Sequence, residues 1–331
     1  MKPENVLEIK NLKKYFPIDA GVFRKSTESV KAVDDVSFEI KNRESFGLVG
    51  ESGCGKTTLG RCLMRAIDPT GGEIMFRMQD GHALDVATAT RADLIKVRRE
   101  MQLIFQDPYS SLNPRMTVQD IIGEPLVCNR MSRGKALKDR VGELTELVGL
   151  DPHHLERYPH AFSGGQRQRI GIARALSTDP RFLVCDEAVS ALDVSIQAQI
   201  LNLLKDLQGR LQFSFLFISH DLGVIRHISD TVGVMYVGKL VEVASARELF
   251  DHPLHPYTKA LLSARPTMDP TRKTRRILLK GEVANPAHPP SGCYFHPRCR
   301  YATKQCAEKT PDWRALAPGH FALCDRVEEI E

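Results

Sequence analysis

Two glycine-rich turns in this chain are built to cradle phosphate. Gly50-Glu51-Ser52-Gly53-Cys54-Gly55-Lys56-Thr57 matches the phosphate-loop pattern at every required position. Its glycines let backbone N–H groups converge on phosphate oxygens, and the helix it opens adds a partial positive charge. Lys56 would reach the β- and γ-phosphates of a nucleotide, and the Thr57 hydroxyl would bind Mg²⁺. The second turn is Phe162-Ser163-Gly164-Gly165-Gln166. Ser163 reads as an N-cap, the glycines expose amides, and Ile170, Ala173 and Leu176 continue a helical face. One triphosphate does not need two cradles in one domain. The pair therefore predicts a nucleotide held between two such domains.

Three further polar positions end apolar, strand-like runs, at the carboxyl edge where ligands bind in α/β sheets. Asp186 follows Phe182-Leu183-Val184-Cys185, and Glu187 comes next. An acid at the first position suits a water-mediated hold on Mg²⁺, and the second could polarise an attacking water as a base. His220 follows Phe213 to Ser219, where a neutral imidazole could contact a γ-phosphate. Gln106 follows Met101 to Phe105, and an uncharged amide there can bind Mg²⁺ weakly and release it. Alone, each is an ordinary polar cap; the phosphate loop is what makes them a set.

The elements that position these groups read as α/β. Near-continuous apolar runs, Ser45 to Val49 among them, fit parallel strands covered on both faces. From Thr117 to Ser177 strand signals vanish and Val141, Leu144, Leu147 and Val148 fall at helical spacing, which predicts an inserted helical subdomain. Ser245-Ala246-Arg247-Glu248 is a capping box opening a short helix. A charged stretch from Asp269 to Arg276 and a Pro-rich one from Asn285 to Pro290 read as a linker.

Composition excludes several classes. At 42% hydrophobic and 26% charged residues, 331 residues build an ordinary globular core plus a smaller unit. A net charge of +5 spread along the chain is not the basic stripe of a nucleic-acid binder. No apolar run reaches the roughly eighteen residues of a bilayer span, and Met1 to Asn5 lacks a secretory apolar segment. The expectation is a protein kept in the cytoplasm. Of eight cysteines, Cys54, Cys62, Cys128 and Cys185 are scattered, while Cys293, Cys299, Cys306 and Cys324 crowd the end. In a reducing compartment such a cluster points to metal rather than disulfides. The spacing matches neither the close pairs of structural zinc sites nor ferredoxin runs, so a four-thiol site and four unrelated cysteines both stand.

The order Gly50–Thr57, Gln106, Ser163–Gln166, Asp186–Glu187, Ser190-Ala191-Leu192-Asp193 and His220 resembles the nucleotide-binding domain of ATP-binding-cassette (ABC) proteins. The resemblance covers residues 5 to about 250. It implies a P-loop NTPase with a RecA-like core, an antiparallel β subdomain and a helical subdomain near residues 110–177. It also implies that two domains sandwich two ATP molecules. Gly50, Ser52, Gly53, Cys54, Gly55, Lys56, Thr57, Thr58, Gln106, Asp186, Glu187 and His220 would serve one site. Phe162, Ser163, Gly164, Gly165 and Gln166 would serve the partner's site, with Ser190 to Asp193 as the loop between them. Thr57 and Gln106 would hold Mg²⁺, and the adenine-stacking aromatic falls in Tyr15-Phe16, with Phe16 favoured. Phe162 stands where the family usually has Leu, and Ala188 where it has Pro.

Asn113-Pro114-Arg115, Tyr158-Pro159-His160, His255-Pro256-Tyr257-Thr258 and Ser291-Gly292-Cys293 are similar to the ATPase subunits of bacterial dipeptide/oligopeptide permeases. That narrower resemblance implies a cassette over residues 1–250 and an oligopeptide-transporter-type extension over 251–331. It implies a peripheral subunit on the cytoplasmic face of the inner membrane. Its partners would be two transmembrane permease subunits, a second, distinct ATPase chain and an extracytoplasmic solute-binding protein, with no nucleic acid. The segment from Asp107 to about Val127 would meet the membrane subunits. The resemblance further implies a [4Fe–4S] cluster at the four late cysteines, with zinc the alternative and His296 and His320 as spare ligands. The competing class is a soluble ABC ATPase acting on nucleic acid or ribosomes. Such proteins carry tandem cassettes or a long coiled-coil insertion, and neither is present here.

Overall fold

The computed structural model describes residues 1–2, 4–18, 28–107, 109–264 and 276–330. The charged stretch from Asp269, except Arg276, and Pro108 lie outside them. In chain order the elements are β1 (Asn5–Pro17), β2 (Ser29–Lys41), β3 (Ser45–Val49), α1 (Lys56–Leu63), β4 (Gly71–Arg77), β5 (Ala83–Asp85), α2 (Arg91–Glu100) and β6 (Met101–Ile104). Then come α3 (Val118–Cys128), α4 (Gly134–Leu147), α5 (Gly164–Leu176), β7 (Phe182–Asp186), α6 (Val194–Leu211), β8 (Ser214–Ile218) and α7 (Leu222–Ile228). The chain ends with β9 (Thr231–Tyr236), β10 (Lys239–Ser245), α8 (Ala246–Asp251), α9 (Pro256–Ser263), α10 (Lys304–Glu308), β11 (Trp313–Ala317) and β12 (His320–Leu323). Among the described residues no helix is long and apolar enough to cross a membrane.

The chain divides into two compact units. The first comprises Met1–Leu7, Glu39–Ser45 and Met75–Ile218. In it β6, β7 and β8 pair in parallel, with Met101 opposite Phe182 and Asp186 opposite Ile218. Every residue of β7 and β8 is buried, as their unbroken apolar character requires for strands covered on both faces. β7, α6 and β8 make a strand–helix–strand unit, which leaves Asp186 at the carboxyl edge. The expected helical subdomain is there as α3, α4 and α5, with Ile121, Ile122, Val141, Leu144, Ile170 and Ile172 buried. Phe105, expected as the end of a strand, lies beyond β6 and is exposed, its ring facing the Arg174 guanidinium at 5.7 Å.

The second unit comprises Glu8–Phe38, Phe46–Ile74 and Ser219–Glu331. Here β3 pairs in parallel with β9, and β9 with β10 antiparallel through a tight turn at Val237-Gly238. The β11–β12 hairpin then adds to β10 through β12, Glu242 facing Ala322. Every residue of β11 is exposed, so no apolar alternation marked it in the sequence. Between Cys293 and Cys299 the chain inserts Phe295, 2% exposed, into an aromatic cluster. Its ring lies 5.3 Å from Tyr236, 5.4 Å from Tyr257 and 5.7 Å from His255. That plug ties the cysteine module to β9 and α9. Phe295→Ala should lower unfolding stability by about 3–5 kcal/mol in a urea titration of the full chain; a loss below about 1 kcal/mol would mean the cluster does not anchor the module.

Candidate nucleotide site

In the second unit β3 runs straight into the phosphate loop, and Gly55 in the left-handed region (φ 107°) caps α1. At Gly50 and Gly55 the loop fits against its surroundings with no room for side chains. A Cβ at Gly55 would lie 2.0 Å from the Ala32 carbonyl oxygen, and one at Gly50 would lie 2.2 Å from that of Met235. A Cβ at Gly53 would meet nothing within 4 Å. The Lys56 ammonium, 5% exposed, donates to the carbonyls of Gly50 (2.8 Å) and Glu51 (3.0 Å). Beside it, burial raises the Cys54 thiol's pKa. Ser52 and Gly53 are exposed, and Thr57 and Thr58 are half-buried. The tip is thus open while its base is fixed.

Phe16 lies near the end of β1 with the Lys14 ammonium 4.8 Å over its ring. Tyr15 is committed elsewhere, its hydroxyl donating to Asp34 Oδ1 at 2.5 Å. That leaves Phe16 as the ring not fixed by a hydrogen bond of its own. His220 is exposed; the N–H of the preceding Ser219 donates to Leu48 (3.2 Å), while the Asp221 carboxylate caps α7.

The first unit brings together the remaining positions. Asp186 is 6% exposed at the end of β7. Glu187 sits in the left-handed region (φ 49°), and its N–H donates to Ile218 at 3.0 Å. Its carboxylate accepts from Gln106 Nε2 at 2.7 Å, so two side chains far apart in sequence share one edge. The Ser190 N–H and hydroxyl both donate to the Glu187 carbonyl, closing the turn over Ala188. Ser163 caps α5 in a reciprocal capping box with Gln166. Gly165 has no space for a side chain, since a Cβ would lie 2.5 Å from Ile196 Cγ2, and one at Gly164 would touch Leu192. The Ser163–Gln166 turn therefore rests on the Ser190–Asp193 segment and α6. Phe162 is buried against His154, filling the place of the usual Leu.

In the support behind the loop, His255 and Tyr257 belong to a motif that the sequence marks only by resemblance, while Glu242 and Arg298 had no signature there. The Glu51 N–H donates to the Tyr257 hydroxyl at 2.9 Å, and Glu51's carboxylate pairs with Arg298. Tyr257 is placed by the cap of α9, where His255 Nδ1 accepts the Tyr257 N–H at 3.1 Å. Buried Glu242 accepts from the Leu254 and His255 N–H groups and lies 2.8 Å from His320 Nε2. Burial lowers the His255 pKa to about 4, so its ring is neutral with the proton on Nε2.

The metal expectation is not supported. The four late thiols share one module, and the Cys293 N–H donates to the Cys306 carbonyl at 2.8 Å. Among the described residues, however, no group of three or more His, Cys, Asp or Glu side chains is arranged to hold a metal ion. His320, expected as a spare ligand, is engaged with Glu242, and His296 Nδ1 with the Cys293 carbonyl. Burial raises the Cys293 thiol to about 12 and also raises Cys299 and Cys324, and the neighbouring thiols push in the same direction.

A family model described as ABC transporter matches residues 33–190, and one described as oligopeptide/dipeptide transporter, C-terminal region, matches residues 241–306. The chain is 51% identical over 327 residues to the oligopeptide transport ATP-binding protein AppF of Bacillus subtilis (strain 168), covering 97% of each. It is 53% identical over 329 residues to the putative oligopeptide transport ATP-binding protein YkfD of the same organism, covering 98% of this chain and 97% of that one. Among solved structures it is similar to a dimeric post-hydrolysis state of the ATP-binding cassette MJ0796 bound to ADP and Pi. There the TM-score is 0.63 at 25% identity, covering 73% of this chain and 99% of that one.

Two outcomes follow from this geometry. Gly53→Ala should cost about 1–2 kcal/mol, the strain of a left-handed alanine, while Gly55→Ala should cost clearly more and abolish nucleotide binding. Equal urea midpoints for the two variants would count against the close approach to Ala32. His255, neutral when folded, takes up a proton on unfolding between about pH 6.5 and its folded value of about 4. Stability is therefore whole above that window and falls as pH drops through it, by about 2–3 kcal/mol at pH 4.5. His255→Asn, which keeps a capping acceptor, should flatten that part of the pH profile measured by urea midpoints.

Proposed function

The chain belongs to the ABC transporter family, as an ATP-binding subunit of the oligopeptide type, and from that premise we propose how its residues drive transport. It is an ATPase whose hydrolysis energises movement of a solute across a membrane, and transmembrane permease subunits are its partners. The solute we assign is a di- or oligopeptide or a related small solute, and the direction is import.

Residues 1–250 work as the cassette and 251–331 as its extension. The phosphate-loop amides and Lys56 bind the triphosphate, and Phe16 stacks the adenine. Thr57 and Gln106, with Asp186 behind a water, offer the hard oxygen donors that suit Mg²⁺. That ion, when bound, offsets charge on the transferred phosphoryl group. Glu187 takes a proton from the attacking water and His220 orients it. The Phe162–Gln166 turn completes the site of a second, distinct ATPase subunit, whose own turn completes this one. ATP binding closes the pair and hydrolysis reopens it, and the segment from Asp107 to about Val127 passes the motion to the permease subunits. The assembly sits peripherally on the cytoplasmic face of the inner membrane and takes solute from an extracytoplasmic binding protein. No step uses a metal at the late cysteines.

The observation that carries this reading is the Gln106–Glu187 hydrogen bond, which holds a candidate base and a candidate magnesium ligand at one strand edge. Glu187→Gln in the assembled transporter should cut steady-state ATP hydrolysis by about 10²–10³-fold while ATP still binds. Retention of more than about a tenth of the activity would remove Glu187 from the role of base.

A further inference from the structure

The phosphate loop carries a carboxylate, Glu51, directly after Gly50. A free negative charge beside a loop that must take a triphosphate repels its ligand. In this chain it is not free. Arg298 Nη1 donates to Glu51 Oε2 at 2.7 Å and Nη2 to Oε1 at 3.2 Å, the fork-on-carboxylate arrangement that matches both groups' planes. The Arg298 side chain is 9% exposed and that of Glu51 28%, so the pair is shielded more than an ordinary surface ion pair. The Arg298 guanidinium lies 5.9 Å from the centre of the Tyr236 ring, behind the loop.

Arg298 immediately precedes Cys299, so it belongs to the cysteine module. The same module makes a second contact from its other flank. The Tyr294 hydroxyl donates to Asp34 Oδ2 at 2.7 Å, and Asp34 Oδ1 accepts from Tyr15, the neighbour of Phe16. The Lys239 ammonium lies 3.2 Å from the same carboxylate. One contact reaches the phosphate loop; the other reaches Asp34 on β2 and, through it, Tyr15 on the strand that carries the candidate adenine aromatic. Phe295 sits between them as the fixed point.

We propose that Arg298 is a positioning residue for nucleotide binding, neutralising and aiming Glu51 so that the phosphate loop offers the triphosphate no unpaired carboxylate. The C-terminal module is then a working part of the nucleotide site, whatever its thiols do. This inference rests on the reading of Gly50–Thr57 as the ATP site.

The test is the affinity of the full-length chain for a fluorescent ATP analogue, titrated at low and high salt. Arg298→Ala should weaken binding on the order of tenfold at low salt and less at high salt, where the charge is screened. Adding Glu51→Gln to Arg298→Ala should restore affinity to within about threefold of the starting chain, because the unpaired charge is gone. Arg298→Lys, which keeps the charge but loses the fork, should fall between the two. If Arg298→Ala does not fold, Arg298→Gln takes its place in the same series. Unchanged affinity in the single variant, or a loss that Glu51→Gln does not reverse, overturns the proposal. Lys56→Ala separates the two readings: if it binds the analogue like the starting chain, the ATP site itself is misplaced and this inference falls with it.

Discussion

A loop that offers backbone N–H groups to phosphate has few left to spend on holding itself. It must be clamped from outside, and much of the second unit follows from that need. The Cys54 carbonyl accepts from the Gly238 N–H at 2.9 Å, in the turn between β9 and β10. The Ala32 and Met235 carbonyls stand where side chains at Gly55 and Gly50 would have to be. These contacts come from the backbone of two strands and a turn, so the loop has its shape only when β2, β9 and the turn after it are in register. An error of about 1 Å in such a site costs orders of magnitude in rate, which is reason enough for the crowding.

Two buried carboxylates extend the clamp to the end of the chain. Glu242, fully buried, receives two backbone N–H groups at the start of α9 and the His320 ring from β12. Asp34 receives two tyrosine hydroxyls and lies near a lysine, and its pKa is lowered by those partners despite the opposing effect of its burial. A buried charge is costly unless its acceptor sites are filled, and here they are. Each carboxylate therefore prefers one arrangement of partners, and an apolar replacement would drop that choice. The gain is specificity of docking, since the partners come from segments as far apart as positions 34 and 294.

The legible parts of this molecule were those whose cause is local. The phosphate loop, the Ser163–Gln166 capping box and the short helix after Ser245 are each written within a few residues, and the structure places them accordingly. The buried strands β3, β7 and β8 could be read because burial on both faces leaves unbroken apolar runs. Glu51 and Arg298, 247 positions apart, leave no such trace, because an ion pair imposes no period on either flank. The cysteines are the opposite case. Closeness in sequence brought them into one module, where burial raises the thiols of Cys293, Cys299 and Cys324, and no metal-holding group is found among the described residues.

The first unit links its two chemical ends mechanically. Glu187 leads through the Ser190 hydrogen bonds to Asp193, which precedes α6. Ile196, on the first turn of that helix, occupies the space that Gly165 lacks a side chain to fill. The candidate base and the Ser163–Gln166 turn are thus two faces of one packed piece, with Glu187 and Ile196 fewer than a dozen residues apart. Close-packed contacts of this kind transmit displacement rather than absorb it. A shift of the Glu187 turn by a fraction of an ångström must either compress Ile196 against Gly165 or carry the Ser163–Gln166 turn with it. The second costs less, because that turn is exposed on its other side. Communication between these two turns then needs no dedicated relay beyond this absence of free space.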